Sequence, residues 1–205
     1  MKLENGTPWS IPVAFPLKES PTCKEGDSVA LHDEENKLIA ILHLEQIYSV
    51  NLDEATKAIF GTNDKNHPGV NKMYEMGNIM LGGEIDLIEM PSPVVKNHEL
   101  TPEETRKQFK ELGWKKIVGF QTRNVPHRAH EFLQKAALEV TDGILLHPLI
   151  GWKKKGDYSP EAVMQGYETL IHHYYPKKRA VLAALTTQMR YAGPREAILH
   201  ALIRK

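Results

Sequence analysis

The second half of the chain alternates between segments with strand character and segments with helix character, and this alternation constrains the fold more than any other feature. Three apolar segments are predicted as strands, at residues 116–120, 143–150 and 179–185. Each is followed by a segment that opens with a helix-start signal, at residues 126–139, 159–174 and 193–205. Strands that alternate with helices in this way form a parallel sheet with crossover helices. The sequence therefore predicts an α/β domain in this half.

The first half of the chain has a different character. Its predicted strands lie at residues 28–31, 38–44 and 84–90. A short helix at residues 54–60 is predicted between the second and third strands, with Asp53 as its cap and Gly61 as its stop. A turn-rich segment at residues 61–70 follows this helix. These features predict a small, mostly β domain.

A boundary between the two halves is predicted where Pro-Ser-Pro at residues 91–93 interrupts the pattern. A helix at residues 101–112 follows, because Thr101 is a good N-cap and Glu104 completes a capping box with it. We therefore predict two domains, at residues 1–95 and 96–205.

Charge and cysteine content limit the classes of function. The 205 residues include 26 Lys plus Arg and 26 Asp plus Glu, so the formal net charge is zero. A general nucleic-acid binder needs a basic surplus, and the basic runs at residues 153–155 and 177–179 are expected to be solvated surface. Cys23 is the one cysteine, which excludes a disulfide within the chain and a multi-cysteine zinc site. With no segment of the roughly 20 apolar residues that a membrane span needs, and no signal-peptide pattern, we expect a soluble, cytoplasmic protein with no nucleic-acid or membrane partner.

The densest group of polar and basic residues lies between a predicted strand and a predicted helix, at residues 120–131. Ligands of open α/β sheets bind outside the carboxyl ends of the strands, where the next helix presents free N–H groups to anions. Arg123 can hold an oxyanion by two parallel hydrogen bonds, and Gln121 adds a neutral donor. His127 and His130 are three residues apart, so they share one face of the first helical turn and can both donate toward phosphate oxygens.

Each of these residues also has an ordinary interpretation. An arginine at a strand end is most often solvated or salt-bridged. Two histidines three residues apart are common on surfaces, or belong to a metal site, although no third ligand follows at a telling distance. It is their combination at one strand-to-helix junction that favours an anion site.

The motifs in this region resemble those of the ATP sulfurylase family. The His-x-x-His pair resembles the signature of the nucleotidylyltransferase superfamily, and Gln-Thr-Arg-Asn followed by Pro-His-Arg-Ala-His-Glu, within residues 121–131, is similar to the narrower sulfate- and ATP-binding loop of that family. Further segments that resemble the family, in the same order, lie at residues 60–70, 147–157 and 189–205. The resemblance covers nearly the whole chain. It implies a PUA-like amino-terminal domain followed by a partial Rossmann-like parallel α/β domain.

The resemblance implies a sulfate adenylyltransferase, a nucleotidyltransferase of assimilatory or dissimilatory sulfur metabolism. Such an enzyme joins a sulfate oxygen to the α-phosphorus of ATP and releases pyrophosphate. Its substrates would be ATP and sulfate, with Mg²⁺ carried mainly by the ATP and no metal ligands from the protein. The family's members are usually homo-oligomers. The sequence leaves open in which direction the reaction runs.

Residue roles follow from the motif match. The implied sulfate-binding residues are Gln121 and Arg123. The residues implied to position the reacting groups, together with Arg123, are Thr122 and Asn124. The resemblance also implies that His127 and His130 are catalytic, because they would contact the ATP phosphates and stabilise the charge that builds in the transition state. The nucleotide side would be lined by His147 and Gly151.

One departure from the family bears on activity. In the family, a further strand and a Gly-Arg-Asp-His-Ala-Gly loop follow the last matching segment and help to form the nucleotide pocket. This chain stops at Lys205, before that loop. We therefore expect a fragment of a longer enzyme, with little or no turnover by these residues alone.

Three other classes of function compete with the enzyme. The first is a non-catalytic fragment that binds an anion or a nucleotide. The second is an RNA-binding module built on the first domain, which zero net charge disfavours. The third is a nucleotidylyltransferase with another acceptor, which would not require Gln121 and Arg123.

Overall fold

The computed structural model describes residues 2–3, 5–152 and 156–205. Its strands are β1 Phe15–Leu17, β2 Ser28–His32, β3 Leu38–Ser49, β4 Ile79–Leu87, β5 Ile117–Thr122, β6 Gly143–Pro148 and β7 Ala180–Leu182. Its helices are α1 Leu52–Phe60, α2 Pro68–Met76, α3 Pro102–Glu111, α4 Arg128–Leu138, α5 Pro160–Tyr174 and α6 Pro194–Arg204. The chain forms two compact units, Met1–Ser92 with Arg190–Lys205 and Pro93–Met189. The domain boundary predicted between residues 95 and 96 stays a prediction.

The first unit is built on a four-stranded antiparallel sheet in the order β1-β4-β3-β2. The buried side chains of Leu42, Leu44 and Leu81 form its core. The first two predicted strands are confirmed as β2 and β3. The third predicted strand corresponds to β4, which begins at Ile79 rather than at residue 84. Glycine in a strand interior generally weakens the strand. At Gly83 it is required, because a Cβ atom there would lie 1.9 Å from the His43 carbonyl oxygen.

Helices α1 and α2 of the first unit differ from the prediction in their starts. Asn51, not Asp53, caps α1, because its side chain accepts hydrogen bonds from the Asp53 and Glu54 N–H groups. Gly61 ends α1 in the left-handed conformation, as predicted. The segment after it was expected to be turn-rich, but α2 starts within it, with His67 as its cap and Pro68 at its first position.

The second unit contains a three-stranded parallel sheet in the order β5-β6-β7, with helices between the strands. Ile144 and Leu146 of the central strand are fully buried and pack with Val163 and Tyr167 of α5. The predicted α/β architecture is confirmed, as is the capping box that opens α3. α4 begins at Arg128 rather than at residue 126, because His127 has an extended backbone and forms its N-cap.

The basic runs were expected to be solvated surface. Residues 153–155 lie outside the described residues. Lys177 and Lys178 are exposed, but Arg179 is half-buried, and its Nη2 donates to the carbonyl oxygens of Leu138 and Thr141 at 2.7 Å. Arg179 therefore satisfies backbone groups at the end of α4, where a cation is favourable. Among the described residues, no helix combines the length and the apolar character that crossing a bilayer requires.

Candidate anion-binding site

The carboxyl ends of β5 and β6 form one edge of the parallel sheet and bring the predicted site residues together. In the register of these strands, Gln121 lies beside His147. Gln121 is exposed, whereas His147 is buried. The Leu149 N–H donates to the Thr122 carbonyl at 2.8 Å and so continues the pairing past the strand ends. The loops after the two strands therefore leave the sheet side by side, as expected for a ligand site of an α/β sheet.

Thr122 and Asn124 shape the first of these loops. The Asn124 N–H donates to Thr122 Oγ1 at 3.2 Å, and the Thr122 hydroxyl lies 3.4 Å from the Asn124 carbonyl. Thr122 is only 6% exposed, so its side chain points into the unit while that of Gln121 faces solvent. This placement gives Thr122 a role in fixing the loop backbone, in the manner of a Ser/Thr turn.

Arg123 forms an ion pair with Asp157 from the loop that follows β6. Arg123 Nη1 lies 3.5 Å from Asp157 Oδ2, and the side chains are 31% and 12% exposed. The pair links the two loops and leaves part of the guanidinium open to solvent. Asp157 was not predicted as a site residue, although it falls in the segment that resembles the family's second loop. An acidic side chain repels an anion, so the sequence gave no reason to expect Asp157 at an anion site.

The amino terminus of α4 borders the same edge of the sheet. His127 is its N-cap but makes no side-chain cap hydrogen bond, unlike the capping residues of α1, α2, α3 and α5. A helix start without a side-chain cap leaves its first N–H groups for another acceptor, and an anion is favoured there.

The two predicted histidines stack against each other at this helix start. The ring centroids of His127 and His130 are 3.8 Å apart with an interplanar angle of 23°. The edge of the His130 ring packs on Phe120, with centroids 5.5 Å apart. Burial of His130, and next the charge of His127, lower the pKa of His130 below its ordinary value of 6.5, while the Val125 backbone opposes this shift. At neutral pH, His130 is therefore a neutral ring beside an exposed His127.

Acidification is expected to destabilise the protein through His130. Because folding lowers its pKa, its contribution to the free energy of unfolding is present above about pH 6.5 and is lost as the pH falls toward the folded-state value. His130→Asn should therefore reduce the difference between the free energies of unfolding measured by urea denaturation at about pH 7.5 and about pH 5.5. His127→Asn removes only the second of the two causes and should therefore reduce this difference by less. Equal pH differences in the wild type and His130→Asn would show that His130 does not contribute.

Gly151 follows β6, and its lack of a side chain is explained by packing. A Cβ atom at this position would lie 2.1 Å from the carbonyl oxygen of Thr187, in the segment after β7. Hydrogen bonds on either side hold these backbones together, from the Ile150 N–H to the Leu185 carbonyl and from the Met189 N–H to the Trp152 carbonyl, both at 3.0 Å. The sequence placed Gly151 on the nucleotide side, and that role stays a prediction.

Two histidines three residues apart can also belong to a metal site. Across residues 2–3, 5–152 and 156–205, no group of three or more His, Cys, Asp or Glu side chains is arranged to hold a metal ion. Apart from the Asp157 carboxylate that pairs with Arg123, the predicted site residues offer hydrogen-bond donation and positive charge. Arg123 and Gln121 can receive one oxyanion, and the α4 start with its two histidines can receive another beside it.

Comparisons with known proteins identify the two domains and the fold. A family model described as ATP-sulfurylase matches residues 96–205, and one described as a PUA-like domain matches residues 1–90. A solved structure, a hexameric APS kinase from Thiobacillus denitrificans, superimposes with a TM-score of 0.73 over 98% of this chain and 36% of that one. At 24% sequence identity, this likeness supports the fold alone.

Curated relatives carry one common name. The chain is 51% identical to proteins named sulfate adenylyltransferase from Pyrococcus abyssi and Thermococcus onnurineus, and 45% identical to one from a Synechococcus strain. All of this chain is covered in each case, but only 54%, 54% and 53% of the relatives. The chain thus spans about half the length of the relatives it matches. Because the ATP-sulfurylase model matches more than half of its residues, the chain belongs to the ATP-sulfurylase family.

Proposed function

We propose that the protein containing this chain is a sulfate adenylyltransferase, which makes adenosine 5′-phosphosulfate and pyrophosphate from ATP and sulfate. Membership of the ATP-sulfurylase family and the shared name of the curated relatives support this activity. The observation that carries the proposal is the juxtaposition of Arg123 and Gln121 with the start of α4, which has no side-chain cap, at one sheet edge.

In the proposed reaction, two anions are held in contact. Sulfate binds Arg123 and Gln121, while the ATP phosphates lie at His127, His130 and the first N–H groups of α4. A sulfate oxygen attacks the α-phosphorus, the bond from that phosphorus to the bridging oxygen breaks, and pyrophosphate leaves. Sulfate is already ionised, so no base is needed, and the residues act by orientation and by donating to developing negative charge.

The remaining features of the proposal concern the partners of the reaction. Mg²⁺ enters with ATP, is held mainly by the nucleotide and screens its phosphates. We also propose a cytoplasmic, homo-oligomeric enzyme. The low cysteine content favours the reducing compartment.

Calorimetry with sulfate and with Mg²⁺-ATP, together with a pyrophosphate-release assay, tests the proposed function. We expect the chain to bind both substrates and a longer protein that contains it to release pyrophosphate only when sulfate is present. Binding without release in that longer protein would favour a non-catalytic binding module. Release that depends on another acceptor and not on sulfate would contradict the proposal.

A further inference from the structure

A second concentration of positive charge lies in a cleft of the second unit, which we call the basic cleft. Its volume is about 990 Å³, and it is lined by the segment before β5, the end of α4 and the segment between α5 and β7. Three of its lining residues, Lys116, Asp142 and Arg179, each directly precede a strand, so the cleft lies at the amino-terminal edge of the parallel sheet. Because β5 has six residues, this edge is roughly 20 Å from the carboxyl ends of the strands. The basic cleft is therefore separate from the candidate anion-binding site.

The charge of the basic cleft differs from that of the whole chain. Six basic side chains line it against two acidic ones, a surplus of four positive charges, whereas the formal net charge of the protein is zero. The basic residues come from all three segments: Lys115 and Lys116, Lys135, and Lys177, Lys178 and Arg179. A concave surface lined by one sign of charge focuses its electric field and attracts ions of the opposite sign.

Only two of the six cations are explained by contacts within the unit. Lys135 pairs with Glu131 in the same helix. Arg179 donates to backbone carbonyls at the end of α4, where a cation is favourable. The lysines at positions 115, 116, 177 and 178 are exposed, and their ammonium groups form no ion pair or hydrogen bond with a described residue. These four groups can therefore receive an anion without breaking a contact.

The backbone fixes the points from which these lysines extend. Lys178 has a φ of 61°, a left-handed conformation that lysine rarely adopts. Its carbonyl accepts a hydrogen bond of 3.1 Å from the indole Nε1–H of Trp114, whose side chain is buried. On the other side of the cleft, Asp142 Oδ2 accepts from the Lys115 and Lys116 N–H groups at 2.8 and 2.7 Å. Both lysine pairs therefore start from ordered backbone, which reduces the ordering that ligand binding requires.

We propose that the basic cleft is a second anion-binding site, which takes a ligand with a chain of phosphate groups. A lysine ammonium is a compact point charge suited to phosphate oxygens, whereas the planar recognition of a carboxylate is characteristic of arginine. Two lysine pairs on separate segments match charge spread along a chain better than the charge of one small anion. Tyr174 also lines the cleft with much of its ring exposed, so a base attached to the phosphate chain can stack there. The inference goes beyond the proposed function and does not depend on it.

The indole Nε1–H resonance of Trp114 reports on the basic cleft, because this group donates to the Lys178 carbonyl. When the full chain is titrated with inorganic tripolyphosphate, we expect this NMR resonance to shift until the site is saturated. Replacing Lys177 and Lys178 together by glutamine should weaken the affinity about tenfold or more, because charge-assisted hydrogen bonds are lost. Replacing Lys115 and Lys116 together by glutamine should have the same effect from the other side of the cleft.

The matched control replaces Arg106 and Lys107 together by glutamine. These adjacent, exposed cations lie on α3 of the same unit and do not line the cleft. We expect the control to bind tripolyphosphate within about twofold of the wild type. An equal loss in all three double variants would mean general attraction between charges and would overturn the inference. A shift of the Asn124 amide without a shift of Trp114 would place the anion at the other edge of the sheet and would also overturn it.

Two further ligands identify the source of the phosphate chain and exclude an acidic protein. ATP that binds more tightly than tripolyphosphate at the Trp114 resonance, with the gain lost in Tyr174→Leu, would assign the site to a nucleotide. Equal affinities would assign it to the phosphate chain alone. A poly-glutamate peptide that shifts the Trp114 resonance where tripolyphosphate does not would contradict the proposal.

Discussion

Replacing Arg123 by alanine is expected to weaken sulfate binding by about a hundredfold or more, because two charge-assisted hydrogen bonds are lost together. Turnover by the longer enzyme should fall by about 10²–10³, the usual effect of removing one donor from developing charge. ATP binding should change by less than about threefold, since the proposed phosphate contacts at His127 and His130 remain. Calorimetric titration of each substrate separates these effects.

Two variants distinguish a specific site from general positive charge. Arg128→Ala removes an exposed arginine at the first position of α4 and should leave sulfate affinity nearly unchanged. Asp157→Asn keeps the shape of the partner of Arg123 and removes the negative charge 3.5 Å from its guanidinium. Since that carboxylate repels a dianion, we expect sulfate binding to hold or tighten. An equal loss in Arg123→Ala and Arg128→Ala would refute a specific role for Arg123.

The elements that the sequence predicted well are those whose ends carry local chemical signals. α3 begins at the Thr101–Glu104 capping box, and α5 begins at Pro160 after the Ser159 cap, as expected. Here the hydrogen bonds that cap the start of each helix join residues only a few positions apart in sequence. The alternation of these helices with apolar strands was enough to predict the parallel sheet.

One error occurred where a contact distant in sequence overrides local preference. Gly82 and Gly83 weaken a strand prediction, yet β4 includes both, and His43 of β3 leaves no room for a side chain at Gly83. This outcome depends on neighbours that strand pairing brings together, which periodicity and propensity do not encode. A second error was local, because α2 was missed where His67 is an unusual N-cap.

For the candidate site, the sequence predicted the strand end but not its surroundings. Gln121, Arg123 and the histidine pair were predicted because they are consecutive features of one motif at a strand-to-helix junction. Asp157 comes from another element and meets this loop only in the folded unit. It has no local pattern that indicates its partner.

Substitution of Gly151 by alanine is expected to destabilise the second unit strongly. The new Cβ atom would lie 2.1 Å from the Thr187 carbonyl oxygen and 2.5 Å from its carbon, so backbone rather than a flexible side chain must move. The hydrogen bonds at Ile150 and Trp152 flank this point and resist separation of the two segments. We expect a cost of about 3 kcal/mol and a fall in Tm on the order of 10–20 °C by calorimetry.

Gly82→Ala is the matched control, because the added methyl group would lie 3.9 Å from its nearest neighbour and needs no movement. A large loss of Tm confined to Gly151→Ala would assign Gly151 to the packing of the two strand-end segments. ATP affinity measured below the transition then tests its predicted nucleotide role separately. If Gly151→Ala folds with an unchanged Tm but binds ATP more weakly, the packing account is wrong, and the glycine serves the nucleotide by admitting it close to the backbone.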